Sequence, residues 1–558
     1  MDTTVALTGM LPAIVIVSAV LTAPLSFFLL WLYRRAVLRG MAAQAGVADA
    51  APAPAALAAP SGELRVRLVD EGPAPAAGAH GRARRALWRA GLIHAGGGLV
   101  YGLVMTVPWM LSAGGGFILS RWLWLWTCYA WPAALALALV AATGRRQRAA
   151  IAAGYFAFLA GAAAYGLARN PELSVGQLAD FWLFVNAPGT LLLLAFLGRR
   201  VRAVGPLVLA FMTAGVTGAL VLVQVAGASE SFLRELVAAG TALGLGATEL
   251  FVLMHLAGFA LLAAVGWRLL RWLGSRYRAK RLSDQSLTLD ALWLLFAVVQ
   301  SITLTFEGWP WIFTGLAAFA ARKLVVNGSF ALQPTPAGAA PMLLLLRVFA
   351  LGGRSERLFD VLNKYWLRHG SIGLIAGPDL VTATVEPHEF LDFVAGGLAR
   401  RFVSGAADLD RRLAQLDTRP DPDGRHRVNE FFCRADTWQM TMTRLAALSD
   451  AVLMDLRGFA PTNQGRRFEL GRLLQAVPLE RVLLLMDEST DLPFLERSLR
   501  ELWQQVDAGS PNRAAAAPEV RLLRLPDLSS AALERLLARV FSLHGERAAA
   551  RPGLVPSA

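Results

Sequence analysis

Runs of about twenty apolar residues dominate the first three hundred positions of this chain, and they admit few folds other than a bundle of membrane helices. Such runs occur near 11–33, 91–111, 122–143, 149–168, 180–198, 206–228, 248–270 and 287–306. A shorter one at 309–321, WPWIFTGLAAFAA, is a ninth span or a re-entrant element. Basic clusters mark one side: YRRAVLRG, GRARRALWR, GRRQR, GRRVR, WRLLRWLGSRYRAKR and ARK. The intervening loops, SAGGGF, NPELSVGQ, ASESFLREL and FEGW, carry few positive charges. Nine spans place every basic cluster in the cytoplasm, with the N-terminus outside, whereas eight put the last loop on the wrong side. The run ending at Tyr33 is too long for a signal-peptide core, and its arginines follow rather than precede it, so it reads as a first span. The expectation is a multi-pass protein of a bacterial inner (cytoplasmic) membrane with the lipid bilayer as its first partner.

Composition agrees. Of 558 residues, 55% are hydrophobic and 17% charged, and the net charge is +14. From Met342 onward 28 Lys+Arg face 27 Asp+Glu, so the basic excess belongs to the first 341 residues. That is the signature of cytoplasmic loops, and nucleic acid is not an expected partner. Cys128 lies in an apolar run and Cys433 in the soluble part, so no disulfide follows.

The expected organisation is a first span over 1–34, a flexible Ala/Pro-rich loop over 35–90, spans two to nine over 91–322, a linker over 323–341, an α/β domain over 342–545 and a disordered tail over 546–558. Within the loop, ELRVRLVD is strand-like. Ionisable groups at membrane depth are costly, which singles out Glu249 and His255. Their structural reading puts Glu249 at the outer interface and bonds His255 to a neighbouring helix. Asn186 and Gln300 suit interhelical hydrogen bonds. Trp122, Trp124 and Trp126 are expected on different helix faces, as in an aromatic belt.

After LQPTPAGAAP the periodicity changes. Five short apolar runs, MLLLLRVFAL, SIGLIAG, AVLMDL, RVLLLMD and EVRLLRL, alternate with amphipathic segments. This predicts a doubly wound, five-stranded parallel sheet of flavodoxin-like type, which binds ligands at the carboxyl ends of its strands. Three strand ends are polar and Gly-bearing: Gly353, Arg354 and Ser355 in GGRSER, Gly377 and Asp379 in AGPDL, and Asp455, Asn463 and Gly465 in DLRGFAPTNQG. The first and third lead into helices whose free amides suit phosphate.

LRVFALGGRSERLFDVLNKYWLRHG resembles the opening strand, loop and helix of a TIR domain. SDAVLMDLRGFAPTNQGRRFELGRLL resembles the section of the wider TIR-like and nucleoside-deoxyribosyltransferase-like superfamily in which an Asp-Leu pair and a polar loop precede an aromatic-Glu-Leu-Gly helix. The architecture matches over 342–545, and the specific match runs from Asp455 to Gly471. The resemblance implies that Glu469 is the catalytic glutamate acting on the N-glycosidic bond of NAD or a related nucleotide, with no cofactor required. Asp455 and Asn463 would then bind ribose hydroxyls, and Arg354 with the GGRSER amides a diphosphate. A carboxylate beside the sugar can stabilise or attack the developing oxocarbenium carbon.

Other readings stand beside this one. Glu469 near a helix start also gains from the helix dipole alone. Many TIR domains are signalling scaffolds, so a non-catalytic sensor, a transporter regulated by this domain and a homo-oligomeric assembly are further expectations. The 386–436 insertion, which the family pattern lacks, is expected either to cover the site as a lid or to make it inaccessible. His388, Glu386, Glu389 and Cys433 fit no usual zinc spacing, and TVEPHEF reads as a helix start, so no metal is expected. No Walker A loop or nucleophile elbow occurs.

Overall fold

The structure is a computed structural model, and it describes residues 3–44, 62–69, 78–112, 116–196, 204–304, 309–333, 340–346, 353–377, 385, 387–513, 515, 517–527 and 529–550. The chain begins α1 (Thr3–Ala42), β1 (Arg65–Leu68), α2 (Gly78–Leu111), α3 (Leu119–Tyr129), α4 (Trp131–Val140), α5 (Arg145–Arg169), α6 (Val175–Phe196), α7 (Gly205–Ala228), α8 (Glu230–Ala242), α9 (Ala247–Arg278), α10 (Asp284–Leu304) and α11 (Thr314–Ala331). It continues β2 (Met342–Leu346), α12 (Gly353–Trp366), β3 (Ser371–Ile375), α13 (Pro387–Val394), α14 (Ala406–Ala414), β4 (Val428–Phe431), α15 (Trp438–Leu448) and β5 (Ala451–Asp455). The last elements are α16 (Gln464–Ala476), β6 (Val482–Met486), α17 (Leu492–Gln504), β7 (Glu519–Arg524) and α18 (Ser530–Ala550). Two compact units result: Met1–Tyr33 with Ala90–Gln333 and Val385–Ala395, and Arg34–Arg89 with Pro334–Thr384 and Gly396–Ala558.

Seven helices among the described residues are long and apolar enough to cross a membrane: Ile14–Ala42, His80–Leu111, Leu119–Val140, Arg145–Arg169, Val175–Leu194, Leu207–Gly227 and Ala247–Arg278. They fall on the first seven apolar runs. The expected count of nine is not confirmed: α10, on the eighth run, ends at Leu304, where the described residues stop, and α11 carries Arg322 and Lys323 near its middle. Both are nevertheless helices, and α10 lies in the core of the first unit with Trp293, Phe296, Ala297 and Gln300 buried. The α7 and α9 backbones meet closely: a Cβ on Gly218 would come 2.1 Å from the Gly258 carbonyl oxygen, so only glycine fits there.

The span Leu119–Val140 is broken at Ala130, before Pro132. Proline has no N–H to give, so the turn before it has carbonyls to satisfy. Asn186 Nδ2 donates to the Cys128 carbonyl (3.1 Å) and the Tyr155 hydroxyl to that of Thr127 (3.0 Å). Trp122 and Trp126 stack at 5.4 Å on one face instead of diverging, since residues four apart share a helix face. The short helix α13 also belongs to this unit, with Phe393 edge-on to Tyr33 and Asp392 3.7 Å from Arg278 of α9.

The second unit is built on one parallel sheet of seven strands in the order β1-β7-β6-β5-β2-β3-β4. This corrects the expected five. The inner strands MLLLL, AVLMD and VLLLM are buried at every position, as strands covered on both faces must be. On one face Leu344, Val452 and Leu484 pack with Leu445, Leu470 and Leu499 of α15, α16 and α17. α12 and α18 meet each other through Trp366 and Phe541, 5.1 Å apart.

The two additional strands are edges. β1 comes from the expected flexible loop, of which 45–61 and 70–77 lie outside the described residues. It pairs with β7 from Arg65↔Glu519 to Leu68↔Leu522, and the Trp503 indole donates to the Gly62 carbonyl (2.8 Å). β4 comes from the insertion and pairs with β3, so the described part of that insertion extends the sheet. α18 reaches Ala550, into the segment expected to be a tail, and 551–558 lie outside the described residues.

Candidate functional site

The order of strand addition in the sheet reverses between β2 and β5: from β2 the next strands go toward β3 and β4, and from β5 toward β6 and β7. In parallel α/β sheets such a reversal opens a crevice at the carboxyl ends. At this edge β5 ends on Asp455, and Gly458 turns the chain at φ +72°, a conformation suited to glycine. The loop is tied to the exit of β6: the Leu456 amide donates to the Leu485 carbonyl (2.8 Å), Thr490 Oγ1 to the Leu456 carbonyl (3.1 Å) and the Asp491 amide to the Phe459 carbonyl (3.0 Å). A loop so anchored holds its side chains in fixed positions.

Asp455 is not open to a ribose. Its Oδ1 accepts from Arg457 Nε (2.8 Å) and from the Arg457 amide (3.2 Å), and its Oδ2 from Arg457 Nη2 (2.6 Å). Both side chains are buried. Burial opposes the Arg457 charge, but the hydrogen bonds and charge of Asp455, with the charge of Asp487, outweigh it and raise the guanidinium pKa. Asn463 is likewise occupied. Its Oδ1 accepts from the Ala460 amide (2.9 Å) and from Arg466 Nη1 (3.0 Å), which also donates to the Gly458 carbonyl (3.2 Å). Both residues therefore brace the loop, Asp455 through both carboxylate oxygens and Asn463 through its amide oxygen.

Glu469 lies in the second turn of α16, 7% exposed, and its Oε2 is fully buried without a hydrogen-bond partner. Burial pushes its carboxyl up to about 7, against the opposing charge of Arg466. Arg466 is itself buried, which lowers its pKa, while the charges of Glu469 and Asp455 act to raise it. A carboxyl titrating near neutrality can give or take a proton at physiological pH. A neighbouring guanidinium suits an anionic group.

The remaining expected residues divide. Gly377 follows β3 and is buried, and Gly465 is exposed in the first turn of α16. Gly353, Arg354 and Ser355 open α12, but their side chains, like Asp379 and the 347–352 loop, lie outside the described residues. Among the described residues no group of three or more His, Cys, Asp or Glu side chains is arranged to hold a metal ion. Scans against protein-family models, curated proteins and solved structures find no match to this chain.

In the helical unit, Glu249 is exposed in the first turn of α9, and half-buried His255 bonds its own helix through the Phe251 carbonyl (2.8 Å) instead of a neighbour. The buried polar groups are elsewhere. Gln300 Nε2 donates to Asn186 Oδ1 (3.1 Å) and Gln300 Oε1 accepts from the Tyr101 hydroxyl (2.8 Å). Arg322, fully buried, bonds Asp290 at 3.0 Å and His94 Nδ1 at 3.3 Å and lies over the Trp293 ring. Lys323 also reaches Asp290. The sequence places ARK among the cytoplasmic basic clusters, whereas Arg322 is drawn inward by Asp290.

Proposed function

We propose that this chain is an integral membrane protein whose α/β unit binds a nucleotide at the carboxyl edge beside β2 and β5 and hydrolyses its N-glycosidic bond, with NAD as the first substrate to test. The observation that carries the reading is Glu469: a buried carboxyl with an unpartnered oxygen, titrating near neutrality, beside an arginine. In the reaction the ribosyl C–N bond breaks, its electron pair leaves with the heterocycle, and water supplies hydroxide to the anomeric carbon. The Glu469 carboxylate stabilises the oxocarbenium charge and takes the proton of the attacking water. Arg466 Nε and Nη2, uncommitted among the described residues, hold a substrate phosphate.

In this reading the N-terminus is outside and the α/β unit is cytoplasmic. α10 and α11 act as the eighth and ninth spans, a pair that keeps the parity set by the seven apolar helices. Incubating the full-length protein with NAD, NADP and nucleosides tests the chemistry. Release of free base by wild type and its loss in Glu469→Gln supports it; absence of turnover, or equal turnover in the variant, sinks it. The occupation of Asp455 by Arg457 and of Asn463 by its own loop favours a second reading, a nucleotide-binding scaffold without turnover. Nucleotide binding without base release selects that reading.

A further inference from the structure

A cavity of about 230 Å³ lies in the helical unit between α2, the broken α3–α4 span and α5. Its walls include Leu99, Trp126, Ala134, Leu137, Ile151 and Phe158, and the alanine positions on α4 leave the room that larger side chains would fill. Its polar wall groups are already satisfied. The Trp126 indole donates to the Leu99 carbonyl (3.0 Å), the Thr127 hydroxyl to the Leu123 carbonyl (2.7 Å) and the Tyr155 hydroxyl to the Thr127 carbonyl (3.0 Å). The space therefore offers only apolar contact to an occupant. An engineered apolar cavity of about 150 Å³ stays dry and takes up benzene, so this larger one suits several methylenes of a chain.

Leu99 and Phe158 on the cavity wall are 40% and 54% exposed, so it opens sideways at the surface of the unit. Along α5 the wall runs from Ile151 to Phe158, about 10 Å at the helical rise. One turn before Ile151, α5 carries Arg145, Arg146 and Arg148, all exposed and with no ion-pair partner among the described residues. An apolar slot parallel to the helix axis, ending one turn from three uncompensated guanidinium groups, matches a molecule with a hydrocarbon chain at one end and a negative charge at the other.

We propose that this is a binding site for one anionic phospholipid, with an acyl chain in the cavity and its phosphate on Arg145 and Arg148, which lead by steps of three residues to Ile151 on the wall. The bilayer supplies this ligand, and the lateral opening lets a chain enter without crossing water. The site is independent of the chemistry at Glu469. Each arginine near an anionic headgroup contributes about fivefold in affinity, so removing both weakens binding by about 25-fold.

The test uses full-length protein in phosphatidylcholine bilayers containing trace phosphatidylglycerol with a terminal diazirine on one acyl chain, and the matching phosphatidylcholine probe. After irradiation, adducts are mapped by peptide mass spectrometry. The expected result is labelling of the peptides bearing Leu99, Trp126 and Phe158, at least tenfold stronger with the phosphatidylglycerol probe. Ala134→Phe, which fills the slot from a half-buried position, removes those adducts. Arg145→Gln with Arg148→Gln removes the headgroup preference, and the corresponding two Lys substitutions retain it. Thermal melts matching wild type establish that each variant is folded. Equal labelling by the two probes, or unchanged cavity adducts in folded Ala134→Phe, overturns the proposal.

Discussion

Asp455 and Arg457, two residues apart at the end of β5, close a buried bidentate ion pair at 2.8 and 2.6 Å. The arginine reaches back over its own turn, so the strand end and the loop become one rigid piece. Removing one partner leaves an uncompensated charge in the interior, which costs about 3–5 kcal/mol. Arg457→Met is therefore expected to lower the denaturant midpoint of the full-length protein by that equivalent. Replacing both residues with apolar side chains is expected to recover much of the loss. Equal stability of Arg457→Met and wild type would show that the pair carries no load.

Glu469 makes stability depend on pH. Its carboxyl moves from an ordinary 4.5 to about 7 on folding, so the folded state holds a proton that the unfolded chain gives up earlier. Below pH 4.5 both states are protonated and the contribution is complete; it declines as pH rises to about 7 and is lost above that. The gap corresponds to about 3 kcal/mol. Melts of wild type and Glu469→Gln between pH 4.5 and 8 should diverge, with the variant losing less stability. Parallel curves would mean that the carboxyl is ordinary in the folded protein.

The β1 edge predicts a defect in a distant part of the sequence. Arg67 lies mid-strand, in the alternating register of Arg65 and Val69, whose amides donate to the Pro518 and Leu522 carbonyls, so Arg67→Pro removes a ladder donor. The variant should unfold the β7 side first, seen as faster amide exchange over 519–524, while exchange in β2 and β5 stays at wild-type rates. Unchanged protection of β7 would count against the pairing.

The Gly218–Gly258 contact predicts sensitivity in the helical unit. Gly218→Val must push α7 from α9, because the new carbons meet backbone rather than flexible side chain. The expected result is a loss of about 1–3 kcal/mol, as for overpacking elsewhere, measured as a lower melting temperature in a mild detergent. Ser301→Ala, which also deletes the acceptor of the Gly315 amide, should cost about 1 kcal/mol.

Much of the architecture was legible because it rests on local periodicity. The first seven apolar runs and the inner strands MLLLL, AVLMD and VLLLM need no partner to be read, since charge-free length and continuous burial each leave a pattern. β4 escaped notice because VNEF is half polar, as edge strands tend to be. β1 was visible as a strand-like piece, but its partner lies more than 400 residues away, with Arg67 bonding Glu519 across a separation of 452.

At the candidate site the sequence placed Asp455, Asn463 and Glu469 in one neighbourhood, and the chain's own pattern decided no more than that. Tertiary packing gave the three different roles. Asp455 is claimed by Arg457 and Asn463 by Ala460 and Arg466, while Glu469 is buried with an oxygen unanswered. The same holds for Arg322, a basic residue in a basic motif until Asp290 draws it inside. Sequence alone determined where apolar surface had to be buried, because hydrophobic periodicity is a property of neighbouring residues. Only the tertiary structure decided which charges are paired and which stand alone, because desolvation and pairing depend on groups that the chain brings together from far apart.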